Sequence, residues 1–422
     1  MSKPLTLGWF VNYMPTGWNR PFNGGQPAAW QDGQFYVDMA RTLDRAGIDF
    51  IMLEDSSVVP ENYGGDMTAE FMATVKSPKH DPLPLAAAIA QATDRLGIVT
   101  TMSTSLYPPE RLARLQASLD ELSNGRAGWN IVTSFEDLAA QNVGLEKLWE
   151  HDERYARAHE YLDVVTSAWQ GAVAHDGRFH QVVSPGSPMP VQDRPVLCQA
   201  GGSKAGMDFA AEWADLIVSV PVGVEAMKAY RDGIRSRIAE SGGDPDRCRV
   251  LYMVTPILGE TDEEAQAKRA RMYSDATDNY LRRIVQLSNI SEIDFSKFDE
   301  DEPVPEDATT NGAQSILDTF KRLTKDSSLR EVLGNSGEST SLDLCGSPAT
   351  VADQMEAAME EVGGDGFLLF HGGGGIITRR YLDEVLDGLV PELESRGLFE
   401  RPVRDGGPVA APGTFRGRLT GA

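Results

Sequence analysis

The stretch GIVTTMSTSLYPPERLARLQASLDELSNGRAGWNIVT, residues 97–133, contains a strand, a helix and a second strand in succession. Gly97–Thr104 and Arg126–Thr133 are short apolar runs, whereas Pro109–Leu122 has helical spacing and follows a proline. Strands that are apolar on both faces and rich in Val, Ile and Leu are typical of a parallel sheet covered by helices. The stretch therefore predicts one unit of a parallel α/β fold.

The same strand-then-helix unit recurs eight times, and eight is the number that closes a (β/α)₈ TIM barrel. The predicted fold class is therefore α/β, a TIM barrel with insertions at its C-terminal face. A doubly wound open sheet is the alternative from counting alone, but no GxGxxG follows the first strand. The predicted strands are Leu5–Tyr13, Asp49–Glu54, Gly97–Thr104, Arg126–Thr133, Pro195–Ala200, Asp215–Val220, Val250–Leu258 and Gly366–Phe370.

The predicted domain is a single barrel over residues 1–400, followed by a C-terminal surface arm at 401–422. Residues 276–347 interrupt the rhythm between the seventh and eighth units and include the acidic run FDEDEPVPEDATTNG. This insertion is predicted to act as a lid or, alternatively, to be a solvated excursion. A smaller insertion, His175–Pro190, predicts a hairpin, and Gly47, Gly97 and Gly363 are predicted to end helices.

The charge and cysteine content restrict the partners. Lysine and arginine number 39 against 63 acidic residues, a formal charge of −24, which argues against nucleic acid and anionic membranes as partners. Cys198, Cys248 and Cys345 are widely spaced, so we expect neither a disulfide framework nor a metal site. Without a signal peptide or an apolar run of membrane length, the predicted location is cytoplasmic.

Two glycine-rich loops are candidate phosphate sites. QAGGSKAG, Gln199–Gly206, stands between a predicted strand and a helix, where backbone N–H groups and the Ser203 hydroxyl bind phosphate well. HGGGG, His371–Gly375, follows the eighth strand and is a rival. A tight turn in the first loop and a hinge or pocket floor in the second are the alternatives. His151 and Tyr155, four residues apart, share a helical face and can hydrogen-bond a phosphate or polar ring; an ordinary amphipathic helix start with surface histidine is the alternative.

Several segments in one order closely resemble the bacterial luciferase-like flavin monooxygenases. Their subgroup is that of the nitrilotriacetate monooxygenases, the dibenzothiophene-sulfone monooxygenases and pristinamycin synthase. The resemblance covers roughly residues 5 to 400. The matching segments are KHDPLPL (Lys79–Leu85), Ser103–Arg126, GRAGWNIVTS (Gly125–Ser134), HDERYARAHEYLDVV (His151–Val165), PVLCQAGGSKAGMDFAAEWAD (Pro195–Asp215) and LVPELESRGLF (Leu389–Phe399).

The resemblance implies a two-component monooxygenase that binds reduced FMN supplied by a separate NAD(P)H:flavin reductase and reacts it with O₂. It also implies a homodimer or homotetramer, and it favours QAGGSKAG over HGGGG for the phosphate. The FMN contacts that it implies are Asp55, Ser103 or Thr104, Asn130, His151, Tyr155, Gly202 and Ser203.

The predicted substrate is small and largely apolar: an organosulfur compound, an amine or a halogenated aromatic. The segments NYMPTGWNRPFNGG, EDSSVVPENYGGDM and FHGGGG depart from the family pattern at the substrate end and leave the substrate open. The predicted catalytic residues are His371, His80 and Asn130, the two histidines for proton handling, with a structural hydrogen bond as the alternative for each. The predicted substrate wall is Trp9, Phe10, Tyr13, Trp129 and Phe370. A flavin-binding or flavin-degrading protein and an F420-dependent dehydrogenase are the alternative functions.

Overall fold

Eight parallel strands form a closed barrel in the computed structural model, which describes residues 4–14, 31, 33–73, 79–273, 277–309, 314–335, 340–370, 379–401 and 413–421. The hydrogen-bonded order is β1-β8-β7-β6-β5-β4-β3-β2. The TIM barrel prediction is therefore confirmed, and the open sheet is excluded. The strands are β1 Thr6–Asn12, β2 Phe50–Glu54, β3 Gly97–Ser103, β4 Ala127–Val132, β5 Val196–Gln199, β6 Leu216–Ser219, β7 Arg249–Val254 and β8 Gly366–Leu369.

Helices surround the barrel, and in the part of the chain that the structure describes none is long and apolar enough to cross a bilayer. A π-helical turn, Glu384–Leu389, joins α14 to α15. The helices are α1 Gln34–Ala46, α2 Thr68–Ala73, α3 Pro82–Ala92, α4 Pro109–Leu122, α5 Asp137–Gln141, α6 His151–Gln170, α7 Lys204–Trp213, α8 Val224–Glu240, α9 Asp262–Tyr273, α10 Thr277–Ser291, α11 Gln314–Leu323, α12 Leu329–Asn335, α13 Pro348–Val362, α14 Arg379–Asp383, α15 Val390–Ser395 and α16 Phe415–Thr420.

Alternate side chains of each strand face opposite sides of the barrel wall. Leu7 and Val11 of β1 pack with the helices, whereas Phe10 packs with the interior residues Phe50 and Val99. The interior is therefore filled by side chains over its lower part, and the residues at the strand ends define the site.

Two features differ from the predicted elements. The seventh strand ends at Val254, and Ile257–Leu258 pairs instead with Cys345–Gly346 in a separate two-stranded parallel sheet. Gly97 does not end a helix, since α3 already ends at Ala92; it begins β3. Gly47 and Gly363 do end helices, with φ of 84° and 70°.

The hairpin predicted within His175–Pro190 is present in part. Val173–Asp176 pairs with Gln181–Ser184 in an antiparallel ladder, beginning two residues earlier than predicted. It extends from the end of α6.

The segment between β7 and β8 contains a helical unit with its own core, formed by α10, α11, α12 and the residues between them. This insertion unit is tied to the loop after β2. Asn289 Nδ2 donates to the buried Glu70 carboxylate at 2.8 Å, and the Gly64 amide donates to Asp294 Oδ1 at 2.9 Å. Its core residues include Ile284, Leu287, Phe295, Leu317, Phe320 and Leu329, with Tyr63 of the β2 loop packed against them.

The expectation of a surface arm was wrong for residues 413–421. Helix α16 closes the N-terminal end of the barrel, where Phe415 is 1% exposed and packs against Phe50 at a ring distance of 5.9 Å. A Cβ at Gly97 would lie 2.8 Å from the Phe415 ring, so only glycine admits this aromatic plug. An apolar interior open at its lower end explains why the tail is held there.

Phe415→Ala is expected to lower the free energy of unfolding by about 3–5 kcal/mol, because it empties the plugged end of the barrel. Urea denaturation measures the loss. Phe71→Ala is the matched control. Phe71 is 51% exposed, so this variant should lower the free energy of unfolding by about 1 kcal/mol or less. Equal losses for the two variants would contradict the plug.

Candidate functional site

The C-terminal ends of β1 and β4 place two asparagine side chains in the barrel mouth. Asn130 Nδ2 donates to Thr101 Oγ1 of β3 at 3.0 Å. Asn130 Oδ1 is buried and accepts no hydrogen bond from the described residues, and the same holds for Asn12 Oδ1. A buried, unpaired amide oxygen is costly unless a ligand N–H donates to it. These two oxygens therefore mark where a ligand with ring N–H groups fits.

The residues at the end of β3 continue this polar side. Ser103 Oγ accepts a hydrogen bond from Ser134 Oγ at 2.8 Å and from the Ser105 amide at 3.2 Å. Thr104 instead bonds to the Val132 carbonyl through its amide at 2.9 Å and its hydroxyl at 3.4 Å. Strand alternation turns Ser103 toward the interior, so of the two predicted contacts Ser103 is the one that faces the mouth.

The opposite side of the mouth is apolar. The rings of Phe10 and Phe370 meet edge to face at 5.3 Å, and Val218 and Met253 belong to the same interior group. The mouth therefore has a polar wall from β2 to β4 and an apolar wall from β6 through β8 to β1. Such a two-sided cleft suits a flat heteroaromatic ring.

Trp9 and Trp129 do not belong to this wall, which corrects their predicted role. Trp9 is 1% exposed and packs in the outer helix layer, 5.9 Å from the Tyr381 ring. Trp129 is fully buried and donates Nε1–H to the Met102 carbonyl at 2.9 Å. The alternation of β1 and β4 turns both rings outward, because their neighbours Phe10 and Asn130 face inward.

An ion pair and a carboxyl group with a raised pKa lie at the end of β2 and in the loop after it. Lys79 Nζ is 2.6 Å from Glu54 Oε2 and donates to Ser56 Oγ at 2.9 Å. Burial, together with the charges of Glu54 and Asp81, raises the pKa of Asp55 to about 7, although the charge of Lys79 opposes the shift. Asp55 therefore changes protonation state near neutral pH, as a proton-handling group must.

The QAGGSKAG loop packs against the predicted tyrosine. Ser203 caps α7, its Oγ accepting from the Gly206 amide at 3.1 Å. The Tyr155 hydroxyl is 3.5 Å from Gln199 Nε2, and a Cβ at Gly201 would lie 2.8 Å from that hydroxyl. The loop thus needs glycine for close approach. It presents the first amides of α7, which have no acceptor within the helix, beside two hydroxyls.

His151 stands beside Tyr155 on the first turns of α6, with a ring distance of 5.2 Å, so the predicted shared face is confirmed. His151 Nδ1 is 2.7 Å from the exposed Asp152 carboxylate. Burial raises the pKa of Tyr155, which stays a neutral hydroxyl donor at physiological pH. A cradle of loop amides, Ser203 and Tyr155, with His151 at its edge, fits a phosphate group.

Comparison with known proteins identifies the family of this chain. The family model described as luciferase-like monooxygenase matches residues 14–366. The chain belongs to this family. Nitrilotriacetate monooxygenase component A of Aminobacter aminovorans is 33% identical over 94% of each chain, and dibenzothiophene-sulfone monooxygenase of Rhodococcus erythropolis is 30% identical over 87% of this chain and 86% of the relative. The predicted resemblance is confirmed.

Solved structures agree with the family assignment. The structure of DmoA from Hyphomicrobium sulfonivorans superposes with a TM-score of 0.86 at 28% identity, covering 100% of this chain and 93% of that one. A riboflavin lyase, solved with modified FMN and riboflavin, has a TM-score of 0.87 at 25% identity, covering 100% and 96%. The protein is thus an oxidoreductase, a flavin-dependent monooxygenase of the luciferase-like family.

The residues of this luciferase-like enzyme fit a flavin mononucleotide. The unpaired oxygens of Asn12 and Asn130 match ring N–H groups, the apolar wall matches the ring face, and the cradle at Ser203 matches the phosphate. Among the predicted contacts, Gly202 lies in the exposed part of that cradle. The predicted set is thus distributed along one side of the mouth, from Asp55 to Ser203.

Sequence reasoning missed four residues of this site. Asn12 is the last residue of β1. Tyr107 follows β3, and burial, together with the charges of Asp81 and Asp55, raises the pKa of its hydroxyl to about 12. Gln199 Oε1 accepts from the Gly201 amide at 2.6 Å, and Tyr230 donates to the Gly201 carbonyl at 2.8 Å. Gln199 is the first residue of the QAGGSKAG loop and Asn12 the first of NYMPTGWNRPFNGG, so both lie in segments that the sequence singled out without naming them as contacts.

Of the two histidines predicted to handle protons, only His80 lies within the described residues. His80 is exposed, its amide donates to the Tyr13 carbonyl at 3.0 Å, and its ring is 5.2 Å from that of Tyr13. The Tyr13 ring also packs against that of Tyr36 of α1 at 5.0 Å, so His80 and Tyr13 lie beside the outer helix layer. His371 and the HGGGG loop lie outside the described residues.

The pKa of Asp55 predicts a pH dependence of stability. A group with a pKa near 4 when unfolded and about 7 when folded favours the folded state at low pH; this contribution is lost as the pH rises through about 7. Asp55→Asn should therefore gain stability relative to the wild type between about pH 5 and about pH 8, as measured by urea denaturation.

Asp294→Asn is the matched control. Hydrogen bonds from Gly64 and Ser296 and the neighbouring Lys297 lower the pKa of Asp294 to about 2 despite partial burial, so its effect should not vary over that range. A constant difference for Asp55→Asn would show that Asp55 is ionised throughout.

Proposed function

We propose that this chain is the oxygenating component of a two-component system. It takes reduced FMN from a separate NAD(P)H:flavin reductase and uses O₂ to oxygenate a small, largely apolar organic substrate. A relative carries the name component A, which supports a second component. The proposal includes assembly as a homodimer or homotetramer.

The observation that carries the proposal is the two-sided barrel mouth with a phosphate cradle at one edge. Asn130 on the polar wall and Asn12 at the end of β1 offer acceptors, Phe10 and Phe370 form the apolar wall, and Ser203 and Tyr155 lie at the cradle. These three chemistries match the ring N–H groups, the ring face and the phosphate of FMN. Reduced FMN, when bound, supplies the two electrons with which O₂ gives one oxygen atom to substrate and one to water.

The residues of the chain bind, orient and handle protons. Ser203 and Tyr155 hold the phosphate, while Asn130, oriented by Thr101 at 3.0 Å, positions the ring. Asp55, with its pKa of about 7, is proposed to exchange protons at the mouth together with His80. His371 keeps its predicted proton-handling role as part of this proposal.

The substrate is proposed to enter between the β2 loop and the apolar wall. Relatives are named for nitrilotriacetate, dibenzothiophene sulfone and dimethyl sulfide. Phe10, Phe370 and Tyr13 suit an apolar organosulfur, amine or halogenated aromatic compound. The insertion unit is proposed as the lid, because it is hydrogen-bonded to the loop that begins at Asp55.

A second candidate function is cleavage of a flavin. The likeness to the riboflavin lyase, at a TM-score of 0.87, favours it. The two functions differ in what happens to the flavin, which is regenerated intact by a monooxygenase and consumed by a lyase. Mass spectrometry of the flavin after turnover separates them.

The phosphate cradle predicts a loss of affinity that is specific for FMN. Ser203→Ala and Tyr155→Phe should each weaken binding of reduced FMN about tenfold, since a hydrogen bond to a charged phosphate is worth about 1.5–3 kcal/mol. Riboflavin, which lacks the phosphate, should bind the variants and the wild type alike. Anaerobic fluorescence titration measures both ligands.

Ser347→Ala is the control for this series. Ser347 caps α13 as Ser203 caps α7, accepting from the Thr350 amide at 3.3 Å, so it tests the loss of a helix cap alone. It should leave FMN affinity unchanged. If riboflavin affinity falls as much as FMN affinity, the cradle does not hold the phosphate.

The lid predicts that loosening the insertion unit uncouples the reaction. Asn289→Ala removes the hydrogen bond to Glu70 and should raise, about twofold or more, the share of reduced FMN that yields hydrogen peroxide instead of product. Peroxide and product are measured together in a reductase-coupled assay with NADH. Ser296→Ala, which changes an exposed hydroxyl of the same unit bound to Asp294, is the control. An unchanged ratio in Asn289→Ala would count against a lid.

A further inference from the structure

A cavity of about 320 Å³ lies at the N-terminal end of the barrel, the end opposite to the flavin site. It is lined by residues that precede or begin strands, among them Thr6, Asp49 and Arg249, and by Arg418 of the plug helix α16. A strand length of roughly 15–20 Å separates it from the barrel mouth. Nothing in the proposed oxygenation uses this cavity.

Arginines dominate the charge of the cavity. Arg95, Arg249 and Arg418 line it, against the two carboxylates Asp49 and Glu400. Asp49 is already engaged, with Oδ1 bound to Arg95 at 3.0 Å and Oδ2 accepting from the Leu7 amide at 2.9 Å. Glu400 lies at the exposed rim. The cavity thus has an excess of positive charge in a protein whose net charge is −24.

Two of the guanidinium groups bond mainly to neutral acceptors. Arg418 donates to the Arg95 carbonyl at 2.7 Å and the Gly413 carbonyl at 3.3 Å. Arg249 donates to the Leu419 carbonyl at 3.0 Å, and its nearest carboxylate, Asp365 at 3.9 Å, also pairs with Arg231 at 3.1 Å.

A cation held in this way is destabilised. Burial, together with the charges of Arg95 and Arg126, lowers the pKa of Arg418 to about 10 even though Asp49 and Asp44 oppose the shift. A partly buried cation whose charge is not neutralised gains most from an anion that accepts several N–H groups at once.

We propose that this cavity is a binding site for a small oxyanion, a phosphate, sulfate or carboxylate group, held by Arg249 and Arg418 with Arg95 at its side. The anion bridges the barrel wall to α16 and so fastens the helix that plugs the barrel. The site is independent of the proposed flavin chemistry.

Isothermal titration of the full chain with inorganic phosphate, against chloride at matched ionic strength, tests the site. Arg249→Gln and Arg418→Gln should each weaken phosphate binding at least tenfold. Ser203→Ala should leave this binding in place, because it alters only the cradle at the other end. Titrations with sulfate and with acetate distinguish an inorganic oxyanion from a carboxylate.

Arg416→Gln is the matched control, since Arg416 is on the same helix but pairs with Asp215 at 3.4 Å outside the cavity. Hydrogen exchange gives a second readout: phosphate should slow exchange at 415–420 in the wild type and in Arg416→Gln, and not in Arg249→Gln. Because Arg249 also donates to the Leu419 carbonyl of α16, exchange in each variant is compared with and without phosphate, and only the phosphate-dependent slowing reports the anion. Absence of phosphate binding, or binding that Ser203→Ala abolishes and the arginine variants retain, would overturn the proposal.

Discussion

Closure of the eight-stranded barrel is the constraint on which the site depends. It brings the ends of β1 to β8 into one ring and turns alternate side chains of each strand into one interior. Asn12, Asn130 and Phe370 are distant in sequence, yet the ring places them around a single mouth. The residues of the polar wall come from β2 to β4 and those of the apolar wall from β6 through β8 to β1, where Asn12 is a polar exception at the strand end.

The two ends of the barrel are finished in different ways. At the N-terminal end of the barrel, the buried Phe415 ring packs directly against Gly97, so helix α16 closes the core there. At the upper end, loops carry the chemistry: the cradle at Ser203, the acidic group at Asp55 and the insertion unit tied to the β2 loop. A rigid wall with a closed base keeps these loops in fixed relative positions, which orientation of a flavin requires.

Local patterns predicted the elements well and the contacts between them less well. The shared face of His151 and Tyr155 and the glycine loop at Ser203 follow from spacing within one segment, and the barrel follows from the count of eight such strand-then-helix units. Trp9 was misplaced because an aromatic residue in a strand gives no sign of which face it occupies. The packing of Phe415 in the barrel and the buried, unpaired position of the Asn12 amide oxygen depend on segments that meet only after folding, so no local sequence pattern predicts them. The family resemblance supplied the choice of cofactor, which the loops alone left as a phosphate.

A crystal structure of the protein soaked with FMN under reducing conditions tests the central claim most directly. The account predicts a phosphate within hydrogen-bond distance of Ser203 Oγ and Tyr155 Oη. It also predicts a ring lying between Asn130 and the Phe10–Phe370 pair. A phosphate held by residues 371–375, or a flavin bound outside the barrel mouth, would contradict it.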